Sequence, residues 1–267
     1  MQTVILCGGK GTRIRDAADG LPKPLVPIGN RPILWHIMKA YAHFGYRDFV
    51  LCLGHKSWAI KRYFLDYHLA DSDFTIELKS AGQFQVHGKR EVEDWRITLV
   101  ETGENAMTGC RVKRIEPYIK GEEFLLTYGD GVSDVDINAL VEFHRSHGRI
   151  GTVTAVSPPG RFGELEVDGC SVQSFNEKPV VVPGRINGGF FVMNRRVFDR
   201  MEDNPSLIFE SATLPKLVAE RELHAFEHNG FWHPMDSSRD YNCLNEMWQE
   251  GNAPWMVWRP RRLRIAA

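Results

Sequence analysis

An apolar run at the start of the chain, Val4-Ile5-Leu6-Cys7, breaks into Gly8-Gly9-Lys10-Gly11-Thr12-Arg13. A strand that runs into so many glycines must be followed by a tight turn, and such a turn can bring backbone N–H groups against an anion. Positive charge stands close by, on Arg13 and on Lys23 between Pro22 and Pro24, where it can offset charge on displaced phosphoryl oxygens. The loop is not a dinucleotide fingerprint, because Thr12-Arg13-Ile14 supplies no third glycine, and without Gly-Lys-Ser/Thr it is not a Walker loop. A phosphate cradle at the end of a first strand is the expectation.

Downstream of the loop the chain repeats the strand-then-helix order. From Pro32 to Phe44, Ile33, Leu34, Ile37, Met38 and Tyr41 fall on one helical face, with Gly45 beyond. Asp48 to Leu53 reads as a buried strand, and Ser57 to Leu69 as a helix with Ile60, Tyr63, Phe64 and Tyr67 inward. This alternation predicts an α/β fold: a Rossmann-like, mostly parallel sheet flanked by helices. Phe74 to Leu78 and Trp95 to Val100 alternate with period two, around a projecting loop or hairpin at 80–94. Met107 to Tyr118 is helical in pattern. Glu123 to Tyr128 is an apolar strand that ends at Gly129-Asp130-Gly131, and the carboxyl ends of such strands are where open α/β sheets bind ligands.

Asp136 to His147 predicts another helix and Gly151 to Val156 another strand. Past Pro158 come short β runs at 163–167, 171–175 and 186–193, read as a small antiparallel extension, within a β-rich part at 158–193, that carries part of the substrate site. Glu210 to Arg221 and Ser238 to Gln249 read as helices. His144 and His147 fit a solvated helix face better than a metal site, and Asp134→Ala should do little to turnover. Residues 1–258 are expected to form one domain, with 259–267 a basic tail.

A net charge of -1 and a pI near 6.8 give no global field for nucleic acid or an anionic membrane. The five cysteines are odd in number, scattered and without CxxC spacing, which argues against a disulfide framework or thiolate zinc and for a reducing cytoplasm. No secretory pattern or apolar run of membrane length is visible, so a soluble cytoplasmic protein is expected.

Together, Val4 to Arg13 and Pro22-Lys23-Pro24-Leu25 resemble the signature of the sugar-1-phosphate nucleotidylyltransferases. Pro32 to Lys39, Thr98 to Gly103, Met107-Thr108-Gly109, Tyr128 to Gly131, Pro159 to Gly163 and Phe231 to Asp236 closely resemble the glucose-1-phosphate cytidylyltransferase branch, in order, from Met1 to about Trp258. The resemblance implies transfer of a cytidylyl group from CTP to a sugar 1-phosphate, giving CDP-sugar and pyrophosphate for polysaccharide or deoxysugar synthesis. It also implies a homo-oligomer. The attacking phosphate is already anionic and needs no strong base; two polyanions must instead be aligned and their charge offset. Mg2+ is the usual means.

On the same resemblance, Arg13 and Lys23 are catalytic, and Asp130 and Asp236 bind the metal. The nucleotide falls to Leu6, Gly8, Gly9, Gly11, Thr12, Thr108, Gly109, Arg111 and Gly129, with Lys10 secondary. The sugar phosphate falls to Glu177, Lys178, Asn187 and Gly188, with Arg161 a weaker candidate. Taken singly, Asp130 also reads as a turn former and Asp236 as a helix cap. Two departures stand out: where the family usually carries acidic and threonine residues and then a lysine, this chain has Ile14-Arg15-Asp16-Ala17-Ala18-Asp19-Gly20-Leu21, and Cys110 replaces a second glycine, which would tighten the nucleotide pocket. Competing readings are a uridylyl- or thymidylyltransferase, a different phosphorylated acceptor, and an inactive nucleotide-sugar-binding regulatory protein.

Overall fold

The computed structural model describes residues 1–9, 20–70, 72–80, 83–88, 92–158, 164–168, 171–176 and 184–259. Its centre is a seven-stranded sheet of β1 (Gln2–Leu6), β2 (Asp48–Leu53), β3 (Arg96–Glu101), β4 (Glu123–Tyr128), β5 (Gly151–Val156), β6 (Ile186–Asn194) and β7 (Leu223–His228), in the order β7-β5-β6-β4-β1-β2-β3. β4, β1, β2 and β3 run parallel, β5 and β7 are parallel to each other, and β6 lies antiparallel between β4 and β5. The expected α/β fold with a mostly parallel sheet is therefore present.

The central strands are buried on both faces, as parallel strands covered by helices must be. Ile5, Phe49, Leu51 and Leu125 belong to one core cluster and Val4, Leu6, Val50, Cys52, Phe124 and Leu126 to the other, so successive side chains alternate between the two. The first cluster is completed by α1 (Ile33–His43), α2 (Ser57–Leu65), α4 (Ile137–His147) and α6 (Ser238–Gln249), the second by α3 (Thr108–Arg114) and α5 (Leu214–Ala219). Local chemistry fixes helix ends. The Asp136 carboxylate accepts the N–H groups of Asn138 and Ala139 at the start of α4, and Gly148, at φ 63°, closes it. Ser237 and Asp240 form a capping box on α6.

Two differences from the expected elements matter. Only Glu164–Asp168 and Ser171–Asn176 form the separate antiparallel hairpin; Ile186–Asn194 is instead an interior strand of the main sheet. Its buried Gly188 to Met193 run reflects packing on both faces. The 80–94 segment is anchored by a hairpin of Asp73–Glu77 with Gln83–His87. Among the described residues, no helix is long and apolar enough to cross a membrane.

Candidate active site

β1 and β4 end side by side at the carboxyl edge of the sheet, where parallel strands leave a crevice. Gly129, directly after β4, donates its N–H to the Leu6 carbonyl at 3.0 Å, and a Cβ there would lie 2.8 Å from the same oxygen. Only glycine lets the two strand ends close up this far. The loop after β1 rests on Arg111 of α3, which is 4% exposed. Its guanidinium donates to the carbonyls of Gly8 (3.0 Å), Leu53 (2.9 Å), Gly103 (2.8 Å) and Glu104 (3.2 Å) and to Thr102 Oγ1 (3.0 Å). Three strand-end loops thus hang on one cation. A Cβ at Gly8 or Gly54 would fall 2.2 or 2.3 Å from that guanidinium, so both positions need glycine for close approach.

Above this brace opens a cavity of about 650 Å³. Leu6, Gly8, Gly9, Lys23, Thr108, Arg111, Gly129, Asp130 and Asp236 all line it, so residues far apart in the chain converge as expected. Arg111, however, has its donors engaged with protein acceptors. Gly109 is not on the cavity wall: it packs beneath the 205–209 segment, where a Cβ would meet Leu207 Cγ at 2.7 Å. Asn187 and Gly188 sit just behind the wall. Asn187 Nδ2 donates to the Tyr128 hydroxyl at 3.2 Å, and the Gly188 carbonyl accepts from Trp232 Nε1 at 2.7 Å. Gly11, Thr12, Arg13, Glu177 and Lys178, with Lys10 and Arg161, lie outside the described residues.

The charged corner is built from three elements. Lys23 opens a short 3-10 turn between its two prolines, which deny the flanks a backbone donor. Its ammonium donates to Asp130 Oδ2 at 2.7 Å and Asp236 Oδ1 at 2.5 Å. Burial works to lower the Lys23 pKa, but the Asp130 and Asp236 carboxylates outweigh it and hold the group above its ordinary value. The two aspartates are brought together by a ribbon: Gly131–Ser133 pairs antiparallel with Trp232–Pro234, and the Met235 N–H donates to the Asp130 carbonyl at 2.8 Å. Asp236 is not the cap of α6, since Ser237 takes that role, so its carboxylate is left to face Lys23.

Two carboxylates converging on a single cationic centre beside a glycine loop suit a hard divalent cation, which takes one or two carboxylates plus phosphate oxygens. Among the described residues no third carboxylate, histidine or cysteine completes an all-protein cage.

Other groups at the site were assigned no role from the sequence. Tyr128, Glu104 and Asn105 line the cavity; Tyr128 could have been read from its place at the end of β4. Glu210 reaches Thr108 and Tyr128 from a π-helical turn, and no motif marks it. Asp134 is not idle: its carboxylate pairs with His228 Nε2 at 3.0 Å and accepts the Phe231 N–H at 2.7 Å, which latches the far end of the aspartate ribbon. Cys110 does not touch the cavity, its thiol pointing to Asp203 at 3.4 Å. Nor is His144 on a solvated face: it is 2% exposed and bonds Thr152 Oγ1 at 2.8 Å, as does His147, whose ring stacks on His224 at 4.3 Å.

The family model for nucleotidyl transferases matches residues 2–248. The chain is 49% identical over 259 residues to the glucose-1-phosphate cytidylyltransferases of Salmonella typhi and Salmonella typhimurium, covering 97% of this chain and 100% of each relative. The crystal structure of HddC from Yersinia pseudotuberculosis complexed with GMP-PN superposes with a TM-score of 0.66 at 22% identity, over 92% of this chain and 99% of that one.

Proposed function

The chain belongs to the nucleotidyl transferase family, and we propose that it transfers the cytidylyl group of CTP to glucose 1-phosphate, releasing pyrophosphate and CDP-glucose. The observation that carries this reading is the convergence of Lys23, Asp130 and Asp236 on one wall of a cavity whose adjoining wall is the glycine loop. Binding alone does not require that set.

In the reaction, an oxygen of the sugar phosphate forms a bond to the α-phosphorus of CTP while the bond to the β-phosphate bridging oxygen breaks, and the electron pair leaves with pyrophosphate. No proton need be abstracted, since the nucleophile is already anionic. Gly8 and Gly9 leave the backbone free to approach the triphosphate. Lys23 presents donors to anionic oxygens and keeps its proton at any physiological pH, because its carboxylate partners hold its pKa up. Asp130 and Asp236 would hold Mg2+, which when bound offsets phosphate charge and orients the reacting groups. Arg13 stabilises the leaving pyrophosphate, while Glu177 and Lys178 hold the sugar phosphate.

Further parts of the reading concern assembly and setting. Phe74, Ile76, Leu78, Phe84 and Val86 on and beside the outer hairpin are exposed, Leu78 to 82%, which suits a homo-oligomeric contact; light scattering in solution tests it. Cys7, Cys52, Cys110 and Cys243 are free thiols, in keeping with a reducing cytoplasm. Residues 1–258 act as one nucleotidyltransferase domain.

Purified protein given CTP, glucose 1-phosphate and Mg2+ should release pyrophosphate, and UTP or dTTP in competition should be used less well. Silence with CTP across a panel of sugar 1-phosphates would overturn the reading. Activity only with another triphosphate would leave the transfer chemistry and replace the base.

A further inference from the structure

A carboxylate behind the cavity wall, bonded to two residues that line it, has no part in the transfer chemistry. Glu210 lies in the π-helical turn Phe209–Thr213, a rare geometry that concentrates at functional sites. Its Oε2 accepts from Thr108 Oγ1 at 2.6 Å and its Oε1 from the Tyr128 hydroxyl at 2.5 Å. Both hydroxyl-bearing residues line the cavity. The turn is itself held in place, because the Phe209 N–H donates back to Thr108 Oγ1 at 2.9 Å and the strap before it takes the Met107 and Cys110 N–H groups on the Pro205 and Leu207 carbonyls.

Proton counting makes this arrangement informative. A threonine or tyrosine hydroxyl has one proton, and an ionised carboxylate only accepts. With both protons directed at Glu210, the two oxygens can meet a ligand only through lone pairs. Tyr128 oxygen also accepts from Asn187 Nδ2, and Asn187 Oδ1 is fixed by the Gly189 N–H at 2.9 Å, so the amide cannot reverse without losing that bond. The polarity of this wall is thus set from two sides.

We propose that Glu210 is a positioning residue that fixes the cavity's hydroxyl polarity, taking the protons of Thr108 and Tyr128 so that both oxygens act as acceptors toward hydroxyl or amine donors of the bound substrates. The division of labour follows from charge. An anionic clamp repels phosphate, so it suits the wall that meets the neutral sugar, ribose and base, while the Lys23 corner takes the phosphates. Specificity built this way favours a substrate that presents a donor to the remaining lone pairs over an analogue that has lost it. The inference rests on the transfer reading for its substrates, but the clamp itself does not depend on it.

Glu210→Gln keeps the shape and replaces one acceptor by a donor, which forces one hydroxyl to turn its proton into the cavity. With the thermal midpoint unchanged, KM for glucose 1-phosphate or CTP should rise about tenfold while kcat stays within about threefold. An unchanged KM for both substrates overturns the proposal. So does a parallel loss of kcat and thermal midpoint, which would mark a plain structural brace; Glu210→Asp is the second variant for that comparison. In the ligand-free wild-type protein, two low-field hydroxyl proton resonances should appear by NMR, and at least one should vanish in Glu210→Gln. Their absence overturns the clamp whatever the substrates prove to be, whereas clamp signals in a protein that makes no CDP-glucose would indict only the functional reading.

Discussion

Two places in this protein crowd titratable side chains together, and they behave in opposite ways. At the Lys23 corner, opposite charges face one another on a cavity wall, and the lysine is held above its ordinary pKa. At the far side of the sheet, His144 and His147 share Thr152 while His147 stacks on His224. There burial and the neighbouring imidazole push His144 down to about 4, and burial and His224 lower His147 as well. Histidine density alone therefore marks packing. Charge complementarity facing open volume marks chemistry.

The sharpest way to break this contrast is to remove a carboxylate. Asp130→Ala or Asp236→Ala should lower kcat about 10³-fold, read as pyrophosphate release by protein whose circular dichroism is unchanged. Replacing His144 by Gln should leave kcat within about twofold. Comparable losses at the two places would erase the distinction.

Asp134 lies between the two cases, near the aspartate pair in sequence yet facing His228. Asp134→Ala should cost about 2 kcal/mol of stability through its lost pair and backbone bond, measured as a lower urea midpoint at constant slope. An effect below about 0.5 kcal/mol, a conventional surface value, would show that the ribbon needs no latch.

The pH response should separate the places as well. His144 is neutral in the folded protein, with its pKa at about 4, so the unfolded chain binds more protons once pH falls below roughly 6.5. Stability is full above that value and is lost between there and about 4, by about 2 kcal/mol for this group between pH 7 and 5. His36, also pushed to about 4 by burial, adds to the same window. The Lys23 contribution has the reverse sign: present at neutral pH, it is lost as pH climbs through the raised lysine pKa. Urea unfolding of wild type and His144→Gln at both pH values checks this, the variant giving the flatter profile.

The smallest effect belongs to Gly9. A Cβ there meets nothing within 4 Å, so Gly9→Ala should change stability by less than about 0.5 kcal/mol. At Gly8 the same change must displace the Arg111 guanidinium. Equal melting temperatures for the two variants would show that the brace yields.

Lys23, Asp130 and Asp236 were legible through the family resemblance of the short motifs that carry them, although Asp130 and Asp236 read singly as a turn former and a helix cap. Arg111 was legible as a position but not as a role, since the acceptors that engage it come from the loops after three different strands. Glu210 and the Asp134–His228 pair carry no local signal, because their partners are set by how distant segments dock. The place of β6 was hidden for a related reason: period and composition identify a strand, but not which neighbours it lies between.

The ribbon that joins Asp130 to Asp236 also has a consequence in time. A chain emerging from the ribosome can pair β1, β2, β3 and β4 early, yet the second arm of the ribbon and the second carboxylate arrive only with its last quarter. On the proposed reading of the aspartate pair, catalytic competence is thus acquired late, after most of the sheet can form. A nascent or truncated chain could harbour much of the nucleotide crevice while remaining unable to turn over what it holds.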